Sequence, residues 1–232
     1  MKIIADAVRR GEKTLSEFDS KKVLEAYSIP VTREFIAKSL SEAKRFAREI
    51  GYPVVLKGSS GTLTHKTEQN MVALDIRDEK TLEEAYVSME ERGKGRIDGI
   101  LVQQMIRGKR EFVAGLIRDP QLGPCVMFGL GGIFTEALGD VAFRTAPLEI
   151  EDALEMMAEI RAWKLLEPFR GEPAVNRDRL AEILRNLGRI GLEIPEIAEI
   201  DINPLIIDGD LPVAVDALVV LGDPQVAGSA AP

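Results

Sequence analysis

The segment EIAEIDINPLIIDGDLPVAVDALVV, residues 196–220, predicts a pair of antiparallel strands joined by a tight turn. Apolar residues alternate with polar ones along much of it, which is typical of strands with one buried face. The pair Asp208-Gly209 lies between the two runs, and Asp-Gly favours the two-residue turns that join hairpin strands. We therefore predict strands over 196–207 and 211–220.

This turn also predicts which side chains of the hairpin share a face. Counting inward places Asp201 opposite Asp216 and Asn203 opposite Ala214, and cross-strand partners share a face. Two carboxylates and an amide oxygen on one face suit a hard divalent cation, whereas without one the acids would repel. A four-residue loop keeps this arrangement, but a three-residue loop would turn Asp216 to the other face. An edge hairpin with solvated acids is the alternative. The other face presents a core surface: Ile200, Ile202, Ile206, Val213, Val215 and Val219.

Upstream of the hairpin, helical and strand patterns alternate. The helix beginning at Ser39 has a capping box with Glu42 and ends at Gly51. The predicted helices span 14–27, 39–51, 81–91, 150–161 and 178–191, and the predicted strands span 31–35, 53–57, 71–76, 100–106, 111–117 and 125–128. The polar segment 58–70 is a predicted loop. Because helices and strands alternate through the first half, we predict an α+β lobe there.

Composition excludes several classes of protein. The 232 residues, 45% of them hydrophobic, suffice for one large domain or two lobes with a shared core. A net charge of -8 argues against a general nucleic-acid binder and against attachment to anionic membranes. Cys125 is the single cysteine, so no internal disulfide exists. We see no signal peptide and no apolar run of membrane-spanning length, and we expect a cytoplasmic protein.

Two residues near the predicted loop could act on phosphate. Lys57 ends an apolar strand, and a cation at that position needs an anion such as a nucleotide phosphate. A lysine that extends to solvent from an edge strand is the alternative. His65 lies in the polar loop, where an exposed imidazole can carry a phosphoryl group briefly. An incidental loop histidine is the alternative, and periodicity does not separate the two.

An ordered set of motifs runs through nearly the whole chain. The set comprises GYPVVLK (51–57), LTHK (63–66), LVQQM (101–105), GP (123–124), FGLGGIF (128–134), FR (143–144), APL (146–148) and EIDINP (199–204). In this order, the chain from about 14 to 220 resembles the ATP-grasp β subunits of ADP-forming acyl-CoA synthetases, such as acetyl-CoA synthetase (ADP-forming). The resemblance implies an ATP-grasp fold, of α+β class, with two α+β lobes and the nucleotide between them.

The resemblance also assigns roles to nucleotide- and metal-binding residues. Lys57 would contact nucleotide phosphates, and Glu111 would meet the ribose hydroxyls. Asn203 and Asp216 match Mg²⁺ ligands of the related succinyl-CoA synthetases. The strand at the hinge would pair its backbone with the adenine edge through Gln103, Gln104 and Met105.

Other residues would take part in phosphoryl transfer. His65 resembles a second phosphoryl carrier on a swinging loop, and Asp201 matches an acid that orients the phosphohistidine. Gly131 and Gly132 offer backbone N–H groups that could line the phosphoryl path, although a simple turn at the strand end is an alternative. Arg144 could contact an anion, with a structural ion pair as the alternative.

The resemblance implies half of an enzyme. The expected reaction is that of an ADP-forming acid–CoA ligase of the acetate–CoA type, which couples acyl-CoA cleavage to ATP synthesis with Mg²⁺ and ADP/ATP. The CoA site and the first phosphohistidine would lie on an α subunit, in an α2β2 heterotetramer, and the chain would be active only with it. The domain would span 1–222, with a small lobe of about 29–99, a large lobe of about 1–28 plus 100–222, and a flexible tail of 223–232.

Two alternatives and two departures accompany this interpretation. The chain could instead be another ATP-grasp ligase that forms an acyl phosphate, or a nucleotide-sensing regulatory subunit. Family members commonly have Gly-Gly-Val after the histidine loop, where this chain has Gln69-Asn70-Met71. Ser28 also stands where a glycine is usual.

Overall fold

The computed structural model describes residues 1–59, 71–132 and 139–222. Within it the chain forms two compact units. The larger unit comprises Met1–Leu15, Asp19–Val31 and the described residues of Arg107–Pro232, and the smaller comprises Ser16–Phe18 and the described residues of Thr32–Ile106. The predicted loop beyond Ser59 and the predicted tail 223–232 lie outside the described residues.

Both units combine helices with antiparallel strands, as the α+β prediction requires. The elements in the first part of the chain are α1 (Lys2–Arg10), α2 (Glu17–Ala26), β1 (Glu34–Ala37), α3 (Leu40–Ile50), β2 (Val54–Ser59), β3 (Val72–Ile76), α4 (Glu79–Gly93) and β4 (Gly99–Gln104). Those that follow are β5 (Arg110–Asp119), β6 (Gly123–Leu130), β7 (Val141–Thr145), α5 (Ile150–Glu159), a 3₁₀ segment (Arg161–Leu166), α6 (Arg177–Glu193), β8 (Ile197–Asp208), β9 (Leu211–Ala214) and β10 (Leu218–Leu221).

The smaller unit is a four-stranded antiparallel sheet with helices packed against it. Its strand order is β1-β4-β2-β3. Helix α3 begins where predicted, because the Ser39 side chain accepts a hydrogen bond from the Glu42 N–H. It ends at Gly51, whose φ of 93° favours glycine. The core contains Leu56 and Val102 from the two central strands and Leu82 from α4.

The larger unit is built on a six-stranded antiparallel sheet. Its order is β10-β8-β5-β6-β7, and β9 also pairs with β8. Successive inward residues of β5, Phe112, Ala114 and Leu116, are fully buried. Helix α6 lies close to this face, since a Cβ on Gly191 would come within 2.9 Å of the Leu116 side chain. One face of the sheet therefore carries the core.

The predicted register of the final hairpin is wrong by two residues. The turn is formed by Gly209 and Asp210, and Asp208 pairs with Leu211. Gly209 has a φ of 64°, so glycine occupies the first turn position and not the second. As a result Asp201 lies opposite Leu218, and not opposite Asp216.

The second strand is also not continuous. Strands β9 and β10 are separated by residues 215–217, and Asp216 lies at that break. Strand β8 pairs with β5 along its opposite edge. This pairing shifts register between Phe112 and Ala114, next to Asn203 and Pro204 of β8.

The irregularity in the β5–β8 pairing changes which residues of β8 face the core. Ile200 and Ile202 face it as predicted, but after the shift Leu205 and Ile207 do so in place of Ile206. Val213 and Val215 are only partly buried, so the core surface predicted for the hairpin is wrong at these three positions. An irregularity of this kind reverses the alternation of side chains along a strand.

Candidate functional site

In the smaller unit, Lys57 is paired with a carboxylate of the protein itself. Its Nζ lies 2.6 Å from Oε1 of Glu17, and the two side chains are only 8% and 3% exposed. Strand β2 lies between β3 and β4, so Lys57 occupies a central strand and not an edge. The edge-strand alternative is therefore wrong, and the buried lysine contacts the carboxylate of Glu17.

The predicted hinge residues lie at the end of β4. Gln103 is fully buried between Glu34 and Val55 in the sheet. Gln104 donates its backbone N–H to the Arg33 carbonyl at 2.8 Å, and its side-chain Oε1 accepts from the Arg33 N–H at 3.3 Å. Met105 is the first residue beyond the strand, so its backbone lies outside the ladder.

In the larger unit, Glu111, Gly131 and Gly132 line one cavity of about 560 Å³. The Gly131 N–H donates to the Glu111 carbonyl at 2.9 Å. A Cβ on Gly131 would lie 2.5 Å from the backbone of Phe112, and a Cβ on Gly132 would lie 2.8 Å from the Glu111 carboxylate. Only glycines allow this turn to approach β5 so closely. The turn at the end of β6 therefore forms a wall of the cavity beside the Glu111 carboxylate.

Glu111 and Asp201 belong to the same face of the sheet, opposite the core. Residues two apart on β5 share a face, so Glu111 lies on the side of Gly115, which pairs with Asp201. The Asp201 carboxyl is largely buried there. Burial, with the negative charges of Glu199 and Asp216, raises the pKa of Asp201 from 3.8 to about 6. Because burial and the neighbouring acids both disfavour the Asp201 carboxylate, a nearby positive charge would stabilise it.

The strand register brings Asn203 and Asp216 to neighbouring positions. Leu205 pairs with Ala214, the Val215 N–H donates to the Pro204 carbonyl at 3.1 Å, and Asp201 pairs with Leu218. The same register therefore holds on both sides of Asn203, and it places Asn203 opposite Asp216.

Asn203 is exposed and Asp216 is partly buried, so both side chains are accessible at this point. In the described residues, however, no three His, Cys, Asp or Glu side chains are grouped closely enough to hold a metal ion. A cation here would need the Asn203 amide oxygen or oxygens from its ligand as well.

Arg144 lies on the opposite face of the sheet from Asp201. It pairs with Val126, which is fully buried in the core, whereas the Asp201 face carries the neighbouring Phe143. Its guanidinium forms an ion pair with Glu159 of α5, with one N–O distance of 3.0 Å. This arrangement favours the structural ion pair over a place in the phosphoryl path.

His65 lies in the segment 60–70, outside the described residues.

Sequence reasoning missed two acidic residues. Glu17 lies 40 positions from its partner Lys57, and no local pattern links them. Glu199 could have been found, because it is two residues before Asp201 on the same strand and must share its face. Across the part of the chain that the structure describes, no helix has both the length and the apolar character to cross a membrane.

Comparison with known proteins identifies the family. The sequence profile of the ATP-grasp domain matches residues 6–221. The chain belongs to the ATP-grasp family. The predicted ATP-grasp fold, with its antiparallel sheets and flanking helices, is thereby confirmed.

Two relatives of this ATP-grasp chain are acetate–CoA ligases (ADP-forming). Acetate–CoA ligase (ADP-forming) I subunit beta of Pyrococcus furiosus is 42% identical over 223 residues, which cover 94% of this chain and 96% of that protein. Acetate–CoA ligase (ADP-forming) I of Archaeoglobus fulgidus is 41% identical over 87% of this chain, but the match covers only 30% of that longer protein.

A solved structure is similar over the same length. It is the dinucleotide-forming acetyl-coenzyme A synthetase 1 of Ca. Korarchaeum cryptofilum, in complex with coenzyme A and Mg-AMPPCP, with its phosphohistidine segment pointing towards the nucleotide-binding site. The TM-score is 0.86 at 42% identity, covering 95% of this chain and 99% of that one. The predicted resemblance to the β subunits of ADP-forming acyl-CoA synthetases is confirmed.

Proposed function

We propose that this chain is the nucleotide-binding β subunit of an ADP-forming acyl-CoA synthetase. It transfers a phosphoryl group between a phosphohistidine and ADP/ATP, and so couples acyl-CoA cleavage to ATP synthesis. The observation that carries the proposal is the 42% identity to an acetate–CoA ligase subunit beta over nearly the full length of both chains. This likeness favours the synthetase over an amine ligase or a regulatory subunit.

We extend the proposal to the acyl group and to the partner subunit. Acetate is the acyl group named for the Pyrococcus relative. An α subunit would carry the CoA site and the first phosphohistidine, since the Archaeoglobus relative extends far beyond the matched region. We propose that the chain acts only with that subunit, in an α2β2 assembly.

Magnesium fits the residues present. Asn203 and Asp216 would hold it, because carboxylate and amide oxygens are hard ligands and the acids around Asp201 favour a nearby positive charge. The bound ion supplies neutralisation of phosphate charge. Asp201 would accept a hydrogen bond from the imidazole N–H of His65 and so fix the other ring nitrogen toward phosphorus.

Residues of each unit are candidates for nucleotide contacts. In the smaller one, Lys57 would contact phosphates, while the Met105 backbone beyond β4 would pair with the adenine edge beside Gln103 and Gln104. In the larger one, Glu111 would accept hydrogen bonds from the ribose hydroxyls. Catalysis would then consist of positioning and charge neutralisation, as phosphoryl transfer requires.

The carrier role of His65 has a direct test, because His65 is the only histidine in the chain. The purified protein is incubated with Mg²⁺ and ATP labelled at the γ-phosphate, and the protein is assayed for acid-labile, base-stable phosphate. We expect labelled wild type, and no label in His65→Asn.

Added ADP should remove the label as ATP. Asp216→Asn serves as the companion variant, because it should slow labelling without removing the acceptor. A wild type that binds Mg·ATP but acquires no such label, with or without its α subunit, would refute the carrier role.

A further inference from the structure

The segment that closes the cavity of the larger unit contains an arginine in an unusual backbone conformation. Phe169 and Glu172 exchange both backbone hydrogen bonds, at 3.1 and 2.9 Å, around a two-residue turn. The turn residues Arg170 and Gly171 have φ values of 49° and 87°. Two positive φ values define a type I′ turn, which favours Asn-Gly. An arginine at the first position is conformationally costly.

The strained turn points toward the cavity that contains Glu111. Phe169, Arg170 and Glu172 all line this cavity, together with Gly131 and Gly132. The Arg170 guanidinium carbon lies 5.4 Å from the centroid of the Phe169 ring, within the range of a cation–π contact. The turn and the ring therefore hold a guanidinium at the rim of the cavity.

The segment before the turn is anchored by a different arginine. Arg110 is buried, and its guanidinium donates to the carbonyls of Leu165 at 3.1 Å, Glu167 at 3.4 Å and Gly209 at 2.9 Å. These bonds fix the chain leading into the turn. The Arg110 guanidinium therefore forms hydrogen bonds within the fold. Arg170, in contrast, lies in a hydrogen-bonded turn and its side chain is exposed.

Charge at the cavity favours an anionic ligand. Its ionisable side chains are Lys109, Arg110, Arg170, Glu111 and Glu172, an excess of one positive charge. Among the described residues, neither Lys109 nor Arg170 forms a salt bridge, although many exposed arginines of this chain do, such as Arg179 with Glu182.

We propose that Arg170 binds a phosphate of the nucleotide, in the cavity where Glu111 would hold the ribose. The inference rests on the proposed function. A guanidinium forms charge-assisted hydrogen bonds with phosphate oxygens, and a rigid turn lowers the entropy that the side chain loses on binding. The strain at Arg170 is then retained because Asn or Gly, which fit the turn better, lack the charge.

The experiment separates backbone strain from ligand binding. The full-length chain is titrated with Mg·ADP and with adenosine by calorimetry, and its thermal midpoint is measured without ligand. For Arg170→Asn we expect a midpoint about 2–4 °C higher, because the turn is relieved. Mg·ADP binding should weaken about 10- to 100-fold. Adenosine binding should not change, since adenosine lacks the phosphates. Arg170→Lys, which keeps a charge, should bind Mg·ADP with intermediate affinity.

Two matched variants control for each effect. Ser28→Gly relieves another positive φ, 60°, and should raise the midpoint without changing Mg·ADP affinity. Arg161→Asn removes an exposed arginine that lies outside the cavity, and should change neither quantity.

The possible outcomes are distinct. Unchanged Mg·ADP affinity in Arg170→Asn and Arg170→Lys would overturn the inference while the proposed function stands. Equal losses for Mg·ADP and adenosine would also overturn it, because the residue would then act on the cavity's shape. If the wild type binds no Mg·ADP, the proposed function and this inference fail together.

Discussion

The buried pair of Lys57 and Glu17 offers a test of how the smaller unit is stabilised. Its two charged atoms are 2.6 Å apart and both side chains are almost fully buried. At an effective dielectric constant of about 20, two unit charges at this distance attract by about 6 kcal/mol. Desolvation costs several kcal/mol for each ion, so the pair as a whole contributes little. Removal of one partner, however, leaves the other charge buried without this counterion.

We therefore expect a strongly non-additive double-mutant cycle. Glu17→Leu and Lys57→Met should each lower the free energy of unfolding by about 3–5 kcal/mol. The double variant should lie within about 1 kcal/mol of wild type or above it, because two apolar side chains replace the pair at similar volume. The coupling then arises because each single variant leaves a buried charge without this counterion.

The assay is urea denaturation without nucleotide, followed by far-UV circular dichroism, with amide hydrogen exchange of β2 and β4 to report on the smaller unit. Lys22 and Glu25 provide a matched control, because they lie in α2, the helix that also contains Glu17. Their charged atoms are 2.7 Å apart, but the side chains are 44% and 56% exposed, so their coupling should be below about 1 kcal/mol. Additive effects at Lys57 and Glu17, each below 1 kcal/mol, would refute the reasoning.

Three further predictions concern the larger unit. In metal-free buffer, the raised pKa of Asp201 means that the folded state holds its proton more tightly than the unfolded state, so this group's contribution to stability declines as the pH rises from about 4 to 6. Asp201→Asn should remove this decline, and its free energy of unfolding at pH 7 should exceed that of the wild type by about 1–3 kcal/mol in urea titrations. If the free energy of unfolding of wild type and variant changed with pH in parallel, the prediction would be contradicted. Gly131→Ala should lower the thermal midpoint more than Gly123→Ala. A Cβ on Gly131 would lie 2.5 Å from the Phe112 backbone, whereas a Cβ on Gly123 meets no atom within 4 Å and adds only the strain of a φ of 79°. Equal shifts would be evidence against the close approach. Asp216→Asn should require a higher Mg²⁺ concentration for half-maximal ADP binding in calorimetric titrations at fixed ADP, and an unchanged requirement would exclude Asp216 as a ligand.

Local patterns in the sequence predicted most of the individual elements. Ser39, Glu42 and Gly51 set the ends of α3 through interactions within one turn of the helix, so they are readable without the fold. Helix α4 extends over Glu79–Gly93, two residues beyond the predicted helix at each end. Helix α1 and strand β7 were not predicted.

The tertiary structure decided which elements pair. Strands β4 and β5 are consecutive in the chain, yet β4 pairs with β1 and β2 in the smaller unit while β5 pairs with β6 and β8 in the larger one. Alternating apolar residues indicate a strand but not its neighbours, because hydrogen-bonded strands are chosen by contacts between distant segments.

The acidic face shows the same division. From the sequence alone, Asp201, Asn203 and Asp216 were placed together on a hairpin, and the family resemblance supplied Mg²⁺ and nucleotide. The structure shifted the turn to Gly209-Asp210, so that Asn203 and not Asp201 lies opposite Asp216. A shift of two residues preserves the face but changes the partner, because side chains alternate with period two.

The sequence by itself therefore determined the residue types at the site and the kinds of element that carry them. The tertiary structure decided the partners, including Glu17 for Lys57, Glu159 for Arg144 and the cavity beside Arg170. The physical reason is range: caps, turns and periodicity act over a few residues, whereas ion pairs and cavities depend on segments that only folding brings together.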